Sequence, residues 1–265
     1  GNCFYCKVVN TPQKCVNVKK YGHENSDIAP HLTGGFAEYC YVLPISGVIR
    51  IPDSLTDAEA APIMCGVPTM VSAVNSVGVG PNDSVVVQGL GLMGLYALAL
   101  SKSKGAKKII GIDSMPDRLK LAKQFGADEV VNISDMNESD LISTLRSICQ
   151  PEGADVVIEA CGDTRAILQG IDILRSSGRY AITGFVYPDA HVTLDANIVL
   201  KKMLTIIGVH NYHPDNLGDA LDFVQSNQSK YPFNSLVGNI YNLKDIDVAF
   251  KYADSNKVVR VAIIP

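Results

Sequence analysis

Much that would mark out a function class is missing from this sequence of 265 residues. No apolar run approaches the roughly 18 residues that a membrane-spanning helix requires, and no basic-then-apolar leader opens the chain. There is no repeat of solenoid length and no low-complexity tract. Neither sign of charge dominates. With 23 Lys and Arg against 27 Asp and Glu, the formal net charge is -4, and no basic excess draws nucleic acid or an anionic membrane surface. The expectation is a cytoplasmic protein with a small-molecule partner.

What is present suits an ordinary globular protein of one or two domains, at 47% hydrophobic and 19% charged residues. The seven cysteines are odd in number and unevenly spaced, which argues for metal binding or core packing over a disulfide framework. The first sixty-odd positions are loop-rich, with strand-like runs at Ala37 to Leu43 and Gly47 to Ile51. From Asp57 the pattern changes: Ala60, Ala61, Met64, Val67, Met70, Val71 and Val74 predict a buried helix.

After Pro81-Asn82-Asp83, short apolar runs alternate with helical stretches. Strands are expected at Ser84 to Gln88, Lys108 to Ile112, Glu129 to Asn132, Asp155 to Glu159, Arg179 to Thr183 and Leu204 to Val209. Helices fall between them, from Leu92 to Lys104 through Ala196 to Met203. Alternation of this kind implies right-handed crossovers and an α/β, doubly wound parallel sheet of Rossmann type, order 3-2-1-4-5-6. The tail from His210, with helices expected near Leu217 to Val224 and Leu243 to Ala253 and a strand at Val258 to Ile264, does not extend the alternation. It is expected to return to the first domain, giving units at 1-65, 66-209 and 210-265.

The sharpest motif is Gly89-Leu90-Gly91-Leu92-Met93-Gly94 at the end of a Val-rich strand. In a G-x-G-x-x-G turn, Gly89 permits the tight bend, Gly91 lets backbone approach a pyrophosphate, and Gly94 lets the helix pack on the strand. Leu92 and Met93 then open a helix whose N–H groups face the phosphates. Asp113 ends the second strand nineteen residues past Gly94, where a carboxylate can accept from both ribose hydroxyls. A 2'-phosphate there would meet like charge, so NAD is favoured over NADP. The other reading of Asp113 is a cap for the helix at Pro116, a role open to Ser114 as well. Arg118 either flanks the adenosine or is an exposed helix cation. Ala160-Cys161-Gly162 and Thr183-Gly184-Phe185 end strands four and five, where open sheets place ligands; Ala160, Gly184 and Phe185 border the nicotinamide or form routine turns.

Cys3-x-x-Cys6 followed by Cys15 puts three thiols within thirteen positions, as suits a structural zinc with a fourth ligand still to find. Three unrelated thiols are the alternative. His23-Glu24 lacks the helical HExxH context and is read as structural.

Pro12-Gln13-Lys14-Cys15, Tyr21-Gly22-His23-Glu24, Gly34-Gly35-Phe36-Ala37-Glu38-Tyr39 and Ala60-Ala61-Pro62-x-x-Cys65, followed by the glycine turn, resemble the zinc-binding medium-chain alcohol dehydrogenases over the whole chain. Gly208-Val209-His210-Asn211-Tyr212 resembles the branch named for a link to phosphonate catabolism. The resemblance implies a GroES-like catalytic domain interrupted by the Rossmann domain, with an alcohol or carbonyl substrate and NAD and Zn2+ as cofactors. It implies Cys3, Cys6 and Cys15 as structural-zinc ligands, although the Cys6 to Cys15 interval is one residue longer than usual. It also implies Cys65 as a catalytic-zinc ligand, Thr69 near the nicotinamide and Arg260 at the pyrophosphate. Without the resemblance, Cys65 would read as a core thiol. A first lobe cysteine, the remaining catalytic ligands and the proton relay would precede Gly1, so the chain is expected to be an inactive amino-terminally truncated fragment. Members often pair through the last Rossmann strand, implying a homodimer or homotetramer. A zinc-free NADPH quinone or enoyl reductase and a non-catalytic nucleotide-binding protein are the competing readings.

Overall fold

All five residues of Ser84–Gln88 are buried, as a strand covered on both faces requires, and this strand, β1, lies inside the sheet. The computed structural model describes residues 1–149, 152–255 and 258–265. Ahead of β1 come short helices α1 (Phe4–Lys7) and α2 (Asp57–Ala60), then α3 (Gly66–Ser76). The alternation continues through α4 (Leu92–Ser103), β2 (Lys108–Asp113), α5 (Pro116–Gln124), β3 (Glu129–Asn132), α6 (Glu138–Ile148) and β4 (Ala154–Glu159). It closes with α7 (Thr164–Ile173), β5 (Leu174–Ile182), α8 (Ala196–Lys202) and β6 (Thr205–Gly208). All pairings in this sheet are parallel, in the order β3-β2-β1-β4-β5-β6, the expected Rossmann arrangement. None of the described helices is long and apolar enough to cross a membrane.

The chain after β6 forms α9 (Asp215–Ser226), β7 (Val237–Asn242), α10 (Ile246–Asp254) and β8 (Arg260–Ile264). β7 and β8 make a separate two-stranded parallel sheet. Packing continues past the expected boundary after Val209. Ala220, Leu221 and Val224 of α9, with Tyr231, Phe233 and Leu236, are buried in the same cluster as α3 and α4, where the Phe233 ring stacks on Tyr96 at 5.4 Å. The apolar stripe of α9 has that face to cover, so the Rossmann core extends to Leu236. Among the described residues, β7, α10 and β8 contribute no buried side chain to that cluster.

Two local expectations also change. Ala37 to Leu43 and Gly47 to Ile51 are not strands: strand order needs a hydrogen-bonded partner, and Tyr39 and Val48 lie 82% and 76% exposed. The buried helix after Asp57 is three pieces. A Thr56–Glu59 capping box starts α2, a 3-10 turn covers Ala61–Met64 around Pro62, and α3 restarts at Gly66. The break leaves Cys65 at an exposed corner rather than inside the core.

Candidate functional site

β1 lies between β2 and β4, so the crossover helices leave it toward opposite faces and open a crevice at the carboxyl ends of the strands. The glycine turn fills that position. Gly89 has φ +86°, and a Cβ there would stand 2.6 Å from Cys161 Cβ. A Cβ at Gly94 would overlap the Gly89 carbonyl oxygen, so α4 rests on the turn itself. At Gly91 an added Cβ would meet nothing within 4 Å. Gly91 is the N-cap of the twelve-residue α4, with no capping side chain and no acid in the first turn. The first-turn N–H groups have no intrahelical acceptor and face open space, a cradle for an anion. Leu92 is buried and Met93 half-buried, and both touch the space above Gly66, which sets the turn beside the Cys65 corner.

Asp113, 7% exposed, faces the same turn from β2. One carboxylate oxygen accepts from the Leu90 N–H at 2.7 Å and the other from the Met115 N–H at 2.8 Å. It therefore braces both the glycine turn and the entry to α5, whose N-cap, Met115, has no side-chain cap of its own. Arg118 is half-buried with a guanidinium nitrogen 3.9 Å from Asp113, so it belongs to this corner rather than to the exposed face of α5.

Ala160 donates its N–H to the Gln88 carbonyl at 2.8 Å, which locks the end of β4 to the end of β1. Gly184 and Phe185 follow β5, with Phe185 half-buried against the second core cluster. Sequence reading passed over Glu159, whose carboxylate lies completely buried between these two strand ends. An acid closing the apolar run Val156-Val157-Ile158 was the signal that could have found it.

At the Cys65 corner the Thr69 hydroxyl donates to the Cys65 carbonyl at 2.7 Å, so Thr69 is tied into the first turn of α3. Tyr212, beyond β6, reaches back to donate to the Met64 carbonyl at 2.6 Å. Burial and the neighbouring Cys65 push its phenol pKa up. Burial and the neighbouring Arg118 lower the Arg260 pKa at the start of β8, with Cys65 acting in the opposite sense.

The three lobe thiols converge. Cys3 Sγ lies 3.5 Å from Cys6 Sγ and 3.9 Å from Cys15 Sγ. Tetrahedral zinc with Zn–S bonds of about 2.3 Å sets its sulfurs about 3.8 Å apart, so the spacing fits that ion. Backbone hydrogen bonds from Val16 and Cys6 bring Cys3 down to about 6, while burial pushes Cys6 up. Among the described residues these thiols are the one group of three His, Cys, Asp or Glu side chains close enough to share a metal, and Cys65 stands apart from any such group.

Known proteins resemble this chain in sequence and in fold. The family model for zinc-binding dehydrogenases matches residues 93–226, half of the chain. The chain is 26% identical to 5-exo-hydroxycamphor dehydrogenase of Pseudomonas putida, over 87% of its own length and 64% of that protein's. It is 33% identical to the erythritol/L-threitol dehydrogenase of Mycolicibacterium smegmatis, over 78% of its length and 55% of the relative's. It thus spans less than two thirds of these two curated relatives. The crystal structure of an alcohol dehydrogenase from Thermotoga maritima superposes with a TM-score of 0.93 at 28% identity, covering 100% of this chain and 73% of that one. The chain belongs to the zinc-binding dehydrogenase family.

Proposed function

We propose that this chain serves zinc-dependent hydride transfer between an alcohol, or the corresponding aldehyde or ketone, and NAD. The carrying observation is the uncapped amino terminus of α4 over the empty space at Gly91, flanked by the buried carboxylate of Asp113. The family and the dehydrogenase names of its relatives support the reaction class.

Gly91, Leu92 and Met93 would hold the pyrophosphate on main-chain N–H groups, with Arg260 reaching it from the cleft. Asp113 and Arg118 would hold the adenosine ribose, with the carboxylate repelling a 2'-phosphate. Ala160, Gly184 and Phe185 would border the nicotinamide. When bound, NAD would supply the hydride acceptor, and a zinc ion held in part by Cys65 would supply Lewis acidity toward the substrate oxygen. Cys3, Cys6 and Cys15 fit a structural zinc. Cys65 is proposed as one ligand of the catalytic ion; among the described residues it belongs to no group of three His, Cys, Asp or Glu side chains close enough to share a metal. Residues 1–65 with β7, α10 and β8 are proposed as the catalytic-domain portion around the Rossmann unit. The half-exposed edge strand β6, with Leu200 and Met203 exposed beside it, is proposed to pair with a second copy.

Isothermal titration of the folded chain with NADH and with NADPH tests the cofactor reading. NADH is expected to bind in the micromolar range and NADPH more weakly. A folded sample that releases no heat with NADH overturns it.

A further inference from the structure

Glu159 has 0% exposure and pairs with no cation among the described residues. A buried carboxylate without a counter-ion is costly unless hydrogen-bond donors surround it. Here the donors are main-chain N–H groups of two loops. One oxygen accepts from Cys161 at 2.7 Å and Gly162 at 2.6 Å, just after β4. The other accepts from Gly184 at 2.8 Å and Thr183 at 3.3 Å, just after β5. The Thr183 hydroxyl closes the arrangement on the Glu159 carbonyl at 2.5 Å.

The loops interlock around this side chain with no spare room. A Cβ at Gly162 would stand 2.8 Å from the Gly184 carbonyl oxygen, and one at Gly184 would overlap the Glu159 carboxylate. Cys161 in turn packs against Gly89 of the phosphate turn. One carboxylate thereby sets the relative height of the β4 and β5 ends and, through Cys161, their position against the β1 turn.

We propose that Glu159 is a positioning residue for the nicotinamide half of the dinucleotide. The proposal rests on the cofactor reading above. With the pyrophosphate over β1 and the adenosine held at Asp113 on the β2 side, the other half of the molecule must extend over the ends of β4 and β5. Glu159 touches none of the ligand; it shapes the floor on which the nicotinamide lies.

Glu159→Gln isolates this role, because the amide keeps the volume but turns one acceptor into a donor facing two N–H groups. Titrations of wild type and variant with NADH and with AMP, which carries only the adenosine half, separate the two ends of the site. The NADH dissociation constant is expected to rise by about tenfold or more, with AMP affinity held within about twofold. The fluorescence change of NADH on binding is expected to be lost in parallel. If both ligands weaken equally, or neither does, the proposal is overturned. Wild type that binds neither ligand defeats the cofactor reading itself. Should Glu159→Gln not fold, Gly162→Ala presses on the Gly184 carbonyl and disturbs the same loop pair, and is expected to give the same split between NADH and AMP.

Discussion

The backbone of Gly94 lies against the carbonyl of Gly89, so that no side chain at Gly94 can coexist with the turn beneath it. Two glycines five residues apart thus decide how closely α4 approaches β1. Gly94→Ala is expected to force the helix off the turn, at about 3 kcal/mol of stability, with a lowered melting temperature in calorimetry and loss of NADH binding. An unchanged melt would show that the contact yields.

Gly91 is the opposite case within the same motif. Its φ of -70° suits any residue, and a Cβ meets only open space. Gly91→Ala is expected to leave stability within about 0.5 kcal/mol. NADH affinity should fall by about tenfold or more, because the methyl occupies the place of the phosphate oxygens. Equal NADH binding in the two proteins would remove the phosphate from Gly91.

Asp113 holds two backbone N–H groups as well as the proposed ribose site. Asp113→Ala strands both donors, so a stability loss of about 1–3 kcal/mol should accompany weaker NADH binding. The preference for NADH over NADPH should shrink, since the like charge that repels a 2'-phosphate is gone. Competitive titration of the two cofactors reads this directly.

The lobe thiols predict metal content. Zinc analysis of protein purified without chelator should find the ion at the Cys3, Cys6, Cys15 cluster, and Cys6→Ser should lose it. Cobalt substitution gives an independent readout: a thiolate charge-transfer band is expected in the parent and absent in the variant. Cys65→Ser, outside the cluster, should keep the band.

Burial pushes Cys149 up from an ordinary 9.0 to about 11. Between these values the unfolded chain gives up the thiol proton while the folded chain keeps it, so this thiol's contribution to stability falls as pH rises from 9 toward 11. Cys149→Ala is expected to flatten that part of the stability profile measured by urea unfolding. An identical slope in both proteins would exclude the effect.

The βαβ alternation from Ser84 to Gly208 was legible because each strand and helix there carries its own period and its own turn residues, and the central runs β1, β2 and β4 are buried on both faces. The glycine turn was legible for the same reason: its chemistry is local. Glu159 was not, since its four N–H donors come from two loops separated by more than twenty residues, and no spacing rule joins them.

By itself, then, the amino-acid order determined the parallel Rossmann sheet, the glycine turn and the thiol triplet, all products of short-range pattern. Tertiary structure alone decided that α9 and Phe233 belong to the Rossmann core, that Ala37 to Leu43 has no strand partner, and that Cys65 turns outward beside Tyr212. Each of these depends on which distant surface is available to be covered or bonded, a quantity that exists only once the chain has closed on itself.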